Sequence, residues 1–214
     1  MTAASPSPRP VLVTAGATRN PVDAMRFLSA NSSGRTGAAI ADALSAHTKV
    51  HLLGSPEALL RSGGAPSTEA FGATRDLMAR MQAWATVNPT GILVHAAAVG
   101  DYEAAEKSAG KTPSQQAEWV IRLRPAPKIA DQVLDWSPEL SLITFKAAGP
   151  ETSAEELVQI CRNQLERTRS TLVFGNVIGA LGSTATLVDL NGSEAFPRRD
   201  DAMEALVARI RALL

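Results

Sequence analysis

An apolar, β-branched run, Val11-Leu12-Val13-Thr14, ends in small residues. It leads, 16 to 18 residues later, into Ser32-Ser33-Gly34-Arg35-Thr36-Gly37 at the start of a helical pattern. A strand that feeds a glycine-containing loop and a helix N-terminus suits an anion, because unpaired backbone N–H groups converge there and the helix dipole favours negative charge. The loop Ser32–Gly37 is therefore where an anion could approach the backbone. The long excursion excludes the ordinary dinucleotide fingerprint, in which G-x-G-x-x-G joins strand to helix in one tight turn; that motif is absent.

Further chemistry-bearing residues follow other apolar runs. In His95-Ala96-Ala97-Ala98-Val99-Gly100-Asp101-Tyr102, three alanines admit a ligand close to the backbone and Asp101 sets a carboxylate at the strand's exit. The plainer reading is a tight loop with Asp101 as a turn or cap residue. Lys111 lies ten residues on, in KSAGKTP; it is either a solvated charge or a point-charge contact to phosphate. Arg26, three residues after Asp23, is either half of a surface ion pair or a clamp on carboxylate or phosphate. Pro127-Lys128-Ile129 opens a helical pattern with proline near its first position, as ordinary initiation or as an anion site. Phe145 and Asn176 close two more strand patterns. A ring there can stack on a base and an amide can read a ring edge or sugar hydroxyl, although both types are also common packing or turn residues. His47, His51 and His95 lack metal-ligand spacing, and no serine sits in G-x-S-x-G, which argues against a zinc or triad hydrolase.

These positions need a scaffold of alternating strands and helices. Strands are expected at Val11–Thr14, Val50–Leu53, Ile92–His95, Leu140–Phe145 and Leu172–Phe174. Helices are expected at Thr36–Ala46, Ala73–Val87, Lys128–Trp136, Ala154–Thr168 and Asp200–Leu213. Thr152 or Ser153 caps the fourth helix, with Glu155 and Glu156 in its first turn. The alternation implies an α/β, Rossmann-like, doubly wound and mainly parallel sheet. Two pieces stand outside it: the strand-like Ala117–Leu123, and Thr184–Leu190 with Ser193–Phe196 flanking the hairpin dipeptide Asn191-Gly192. They read as a small β extension or dimerisation flap.

At 214 residues, 45% hydrophobic and 20% charged, the chain suits one packed domain spanning 11–214 after a disordered leader, 1–10. A net charge of +0 without a basic block gives no reason to expect nucleic acid. No apolar run is long enough to span a membrane. The single cysteine, Cys161, rules out an internal disulfide, fits a reducing cytoplasm, and falls on an apolar helical stripe as buried filler.

Taken in order, VLVTAGATRNPVDAMRFLSANSSGRTG, VHAAAVGDY, Lys111, RPAPKIADQV, LITFKAAG and TLVFGN resemble the phosphopantothenate–cysteine ligase family, in the stand-alone form without a fused flavin-dependent decarboxylase. The resemblance implies a Rossmann-like homodimer whose site borrows residues from the partner subunit. It implies activation of 4′-phosphopantothenate by CTP or ATP with Mg2+ and no flavin, giving an acyl-nucleotide and pyrophosphate. The amine of L-cysteine then displaces the nucleotide monophosphate.

Carried over by position, the resemblance assigns catalysis to Arg26, Asn31 and Lys111. Nucleotide contacts fall to Gly16, Ser33, Gly34, Gly37, Ala97, Asp101, Lys111, Pro127, Lys128, Ile129, Ala130, Phe145 and Asn176, and substrate contacts to Asn31, Ala97, Ala98 and Asp101. It assigns no protein metal ligand. Three positions depart from the family's pattern. Its asparagine position holds Ala30, with Asn31 next; Gln164 and Thr168 stand where many members carry lysines; and Gly175-Asn176-Val177 replaces A-N-D. A relative limited to the activation step or another acyl transfer therefore stays open beside the full ligase. An NAD(P)-dependent Rossmann oxidoreductase is disfavoured because no Tyr-x-x-x-Lys pair exists, and a non-enzymatic dimeric module is the remaining alternative.

Overall fold

The computed structural model describes residues 7–65, 67–179 and 184–214. Five buried runs form the middle of an eight-stranded sheet: β1 (Val11–Ala15), β4 (Val50–Gly54), β6 (Ile92–His95), β9 (Ser141–Ala148) and β10 (Leu172–Val177). Continuous apolar sequence is what a parallel strand covered on both faces requires. β5 (Ser67–Ala70), polar and exposed, closes one edge and was not legible as a strand. The spatial order of the parallel strands is β5-β4-β1-β6-β9-β10, so the chain reverses direction across the sheet between β1 and β6, where doubly wound folds place ligands.

β11 (Ala185–Asp189) and β12 (Gly192–Phe196) extend the β10 edge as an antiparallel pair. The Asn191-Gly192 signal thus marks a hairpin added to the main sheet, with Gly192 at φ +157. Pairs β2 (Arg19–Pro21) with β3 (Phe27–Ser29) and β7 (Tyr102–Ala104) with β8 (Leu123–Pro125) form two small ribbons above the strand ends. The Ala117–Leu123 expectation is corrected: only Leu123 of that stretch is in a strand, because β8 begins there and pairs with β7.

α1 (Arg35–Ser45) buries Gly37, Ala38, Ile40, Ala41 and Leu44, the one-sided stripe of an amphipathic helix. With α6 (Arg199–Arg211) it covers one face of the sheet. α2 (Pro56–Leu59) is a single turn capped by Ser55. α3 (Thr74–Val87) and α4 (Val133–Trp136) cover the other face. The helix expected over Lys128–Trp136 is instead a 3-10 turn, Ile129–Asp131, followed by α4. α5 (Ala154–Thr168) opens with a full capping box: the Ser153 hydroxyl accepts from Glu156 N–H and the Glu156 carboxylate accepts from Ser153 N–H, at 3.2 and 2.9 Å. Cys161 is buried on the inner face of α5, and burial pushes its thiol up to about 11, so it serves as packing.

Of the expected leader, residues 1–6 lie outside the described residues. Arg9 is tied down: its guanidinium donates to the carbonyls of Thr90, Gly91 and Leu213 and to the Ser141 hydroxyl. Among the described residues no helix is long and apolar enough to cross a membrane.

Candidate active site

Gly16 ends β1 in the left-handed region, φ +90, and Gly34, φ +74, is the N-cap of α1. The two meet in space: a Cβ on Gly34 would lie 2.9 Å from the Gly16 nitrogen. Gly37 lies against β1, where a Cβ would come within 2.6 Å of Ala15 Cβ and 2.8 Å of the Thr14 carbonyl. The three glycines therefore supply what a dinucleotide fingerprint supplies (a tight turn, an open helix start and close helix-to-strand packing) across an 18-residue interval. No side chain caps α1 and no acid occupies its first turn, which leaves its N–H groups open to an anion.

The intervening segment is pinned across the strand ends. Ala98 N–H donates to the Gly16 carbonyl at 2.8 Å and Thr18 N–H to the Ala98 carbonyl at 3.1 Å. The Thr18 hydroxyl accepts from Gly100 N–H. The buried Asn20 amide accepts from Thr74 N–H and donates to the Tyr102 carbonyl, at 2.9 and 3.0 Å. β3 then leads into an open cleft of about 330 Å³ lined by Arg19, Ala30, Asn31, Ser33, Glu57 and Arg61, among others. Arg19 pairs with Glu57 and lies over the Phe27 ring at 4.8 Å, while Arg61 Nε donates to the Ser33 carbonyl at 3.1 Å. Asn31 thus faces a cleft with two guanidinium groups, at the mouth of α1.

Beneath the Ala96–Ala98 turn lies a buried pair. Thr14 Oγ1 accepts from Ala97 N–H at 3.1 Å and stands 2.9 Å from His95 Nδ1. The pair is satisfied with either neutral tautomer of His95, because a hydroxyl has one proton to donate and two lone pairs to accept with. Burial lowers the His95 pKa to about 4, so the ring stays neutral near pH 7.

Arg26 and Lys111 belong to a neighbouring assembly. The Asp23 carboxylate accepts from the N–H groups of Met25, Arg26 and Thr112 and pairs with the Arg26 guanidinium at 3.2 Å. Those bonds, the Met25 N–H foremost, hold its pKa at about 2 despite burial. Arg26 also donates to the Thr112 carbonyl and stacks 4.7 Å from the Trp119 ring centre. Gly110 and Thr112, the neighbours of Lys111, are both bonded to the 23–26 turn. Lys111, between them, is exposed on a backbone held against that turn, and neither it nor Arg26 lines the Asn31 cleft.

The remaining expected residues ring the strand ends. Asp101 is exposed and pairs with Lys128, and the Ala126 N–H bond to the Asp101 carbonyl sets Pro127 beside it. Ile129 is buried under the sheet and Ala130 follows it in the 3-10 turn. Phe145 and Asn176 do not close their strands: β9 continues to Ala148 and β10 to Val177, because the two are paired through Val177 and Ala148. The Phe145 ring lies 5.2 Å from that of Phe174. Gln164 and Thr168 face inward in a polar network: the Gln164 amide donates to the Thr144 hydroxyl and the Phe145 carbonyl, and the Thr168 hydroxyl bonds the Gln164 carbonyl. Arg167 and Arg169 are engaged by Asp131 and Asp135. Sequence reasoning missed Arg19, Arg61 and the Thr14–His95 pair. Their only linear signal was position, next to a strand end or one turn past a short helix.

Residues 7–207 match the family described as DNA/pantothenate metabolism flavoprotein C-terminal domain. The chain is 35% identical over 193 residues to the coenzyme A biosynthesis bifunctional protein CoaBC of Thermococcus kodakarensis, covering 86% of this chain and 45% of that protein. It thus spans less than half the length of this relative. Among solved structures, the DNA/pantothenate metabolism flavoprotein from Streptococcus pneumoniae superimposes with a TM-score of 0.83 at 24% identity, over 97% of this chain and 100% of that one. A Cab2 variant in complex with phosphopantothenate-cysteine gives 0.78 at 17% identity, over 95% and 85%. At these identities the structural likeness is one of fold.

Proposed function

We propose that this chain, which belongs to the DNA/pantothenate metabolism flavoprotein C-terminal domain family, is a phosphopantothenate–cysteine ligase of coenzyme A biosynthesis. The observation that carries the reading is the closure of Gly16 on Gly34, which sets the uncapped start of α1 and the Asn31 loop together at the β1–β6 switch point. In this reading the nucleotide's phosphates lie on the N–H groups of α1 and the Ala97–Asp101 turn, and Phe145 borders the base. The carboxylate of 4′-phosphopantothenate attacks the α-phosphate of CTP or ATP and pyrophosphate leaves. The amine of cysteine then attacks the activated carbonyl and the monophosphate leaves with the mixed-anhydride oxygen. A carboxylate is a poor electrophile without such a leaving group, so the chain's work is positioning and charge stabilisation.

Lys111 stabilises charge developing in the first step, Arg26 clamps a substrate anion, and Asn31 orients the acyl group for the second. Magnesium in this reading would be held by phosphate oxygens of the nucleotide and would neutralise charge there.

A homodimer belongs to the proposal. Met25, Tyr102, Trp119, Val120 and Leu123 remain exposed around the Arg26–Lys111 assembly, and a second copy covering them would bring that assembly to a cleft other than its own. A cytoplasmic setting goes with this reading. Two observations favour the activation-only alternative: Ala30 occupies the expected asparagine position, and Gln164 and Thr168 are buried, the first bonded to β9 and the second to the Gln164 carbonyl.

The test mixes the protein with 4′-phosphopantothenate, cysteine, Mg2+ and either CTP or ATP, and follows pyrophosphate and the amide product. Both products are expected. Pyrophosphate without amide would select the activation-only reading, and no pyrophosphate with either nucleotide would overturn both.

A further inference from the structure

Among the described residues, the one buried side-chain nitrogen or oxygen without a hydrogen-bond partner is Nε of Arg199. Arg199 opens α6, and its Nη2 donates to the Thr36 hydroxyl in the first turn of α1 at 2.7 Å. Its guanidinium lies 5.5 Å from the centre of the Phe174 ring, which itself touches Phe145. Neighbouring Arg198 takes Asp201 at 4.0 Å, whereas among the described residues no carboxylate comes within 4.0 Å of Arg199. Desolvation by the surrounding residues works against its protonated form, partly offset by the nearby Asp200 carboxylate and reinforced by the charge of Arg35.

A partly buried guanidinium is ordinarily offset by a carboxylate or a full set of acceptors. Here the acceptor is one neutral hydroxyl and an aromatic face. Nη1, like Nε, makes no hydrogen bond to the described residues. The Thr36 hydroxyl, while accepting from Nη2, keeps its own proton free to donate. Asp200 supplies nearby negative charge without a hydrogen bond, against Arg35 and the open N–H groups of α1, whose first turn holds no acid.

We propose that Arg199 is a nucleotide-binding residue, which takes a phosphate oxygen of the nucleoside triphosphate between the first turn of α1 and the Phe145–Phe174 ring pair. This rests on the ligase reading above and adds to it a residue from the far end of the chain. A guanidinium offers a planar fork to phosphate, so its spare donors match the chemistry. The aromatic pair beneath it fixes the plane of the fork and continues to the ring proposed to border the base. The triphosphate is favoured over the other substrates because Arg199 bonds the first turn of α1, whose open N–H groups are the phosphate site of the ligase reading.

The test compares wild type with Arg199→Met and Arg199→Lys in the ligase assay, varying each substrate in turn. For Arg199→Met the KM for CTP or ATP should rise about tenfold to a hundredfold, the range of one charge-assisted hydrogen bond. The KM values for phosphopantothenate and cysteine should stay within about twofold, and lysine should restore part of the loss. A nucleotide KM that does not move, or three KM values rising together with a lowered Tm, would overturn the assignment and leave a packing role. Should methionine prevent folding, Arg199→Gln and Arg199→Lys carry the same comparison. If wild type shows no turnover, the ligase reading fails by itself, and calorimetric titration with CTP and ATP still decides Arg199. Weaker binding in the variant sustains it; equal binding, or none by wild type, refutes it.

Discussion

Acid should unfold this protein through His95. The ring is buried and neutral, with its Nδ1 hydrogen-bonded to the Thr14 hydroxyl, and its pKa is lowered from 6.5 to about 4. Because the folded value lies below the unfolded one, the unfolded chain takes up the proton first as pH falls. The stability concerned is present above pH 6.5 and is lost progressively as pH falls through 4. The gap between 6.5 and about 4, at ~1.4 kcal/mol for each pH unit, amounts to about 3 kcal/mol. That is a large share of the roughly 5–15 kcal/mol that holds a domain folded.

The site has a stake in the same proton. In the protonated ring Nδ1 can only donate, so Thr14 Oγ1 would have to accept from it as well as from Ala97 N–H. The Ala97 turn should loosen at the pH where the fold weakens. The assay is urea unfolding from pH 7 to pH 4 for wild type and His95→Asn, which removes the titration and keeps an amide oxygen near the Nδ1 position. Across that range wild type should lose about 3 kcal/mol more than the variant does, since the carboxylates common to both cancel. The chain has three histidines, so the ring signals can be assigned by NMR. Parallel stability curves, or a His95 signal that titrates near 6.5 in the folded protein, would refute the reasoning.

Gly37→Ala should lower stability by ~1–3 kcal/mol through overpacking, because the new methyl meets Ala15 and the Thr14 carbonyl; thermal unfolding measures it, and an unchanged Tm would show that α1 can shift away from β1. Asn31→Ala should let pyrophosphate form while amide formation falls by about 10²-fold, a typical loss for one oriented polar group; single-turnover product analysis checks it, and unaffected amide yield would deny Asn31 the acyl-orienting role. Lys111→Ala should slow pyrophosphate release itself by about 10²-fold or more, since the bonds of Gly110 and Thr112 bring its segment of the chain against the 23–26 turn; unaltered release would place the charge stabilisation elsewhere.

The parallel core was legible because strands buried on both faces have continuous apolar sequence, and the start of α5 because a capping box is local. The ribbons were not. Arg19–Pro21 and Tyr102–Ala104 are short and half polar, and they become strands only through partners brought to them by Asn20 and the Ala17–Ala98 bridge. Lys128–Trp136 reads as helix by composition, yet Ile129 and Val133 must both enter the core from a tight bend, so a 3-10 turn intervenes.

Sequence alone determined the residue types of the site and the order in which the fold delivers them: small residues after β1, the Ser33-Gly34 loop at α1, the alanines and Asp101 after β6, and the lysine ten residues on. These are local properties, written in composition and spacing. Tertiary structure alone decided who meets whom. It closed Gly16 on Gly34 across an 18-residue interval, turned Gln164 and Thr168 inward, separated Asn31 from Arg26 and Lys111 within one copy, and carried Arg199 from the last helix to the first turn of α1. Such contacts depend on which strand ends share a sheet edge, and that follows from the packing of the whole sheet rather than from any window of the chain.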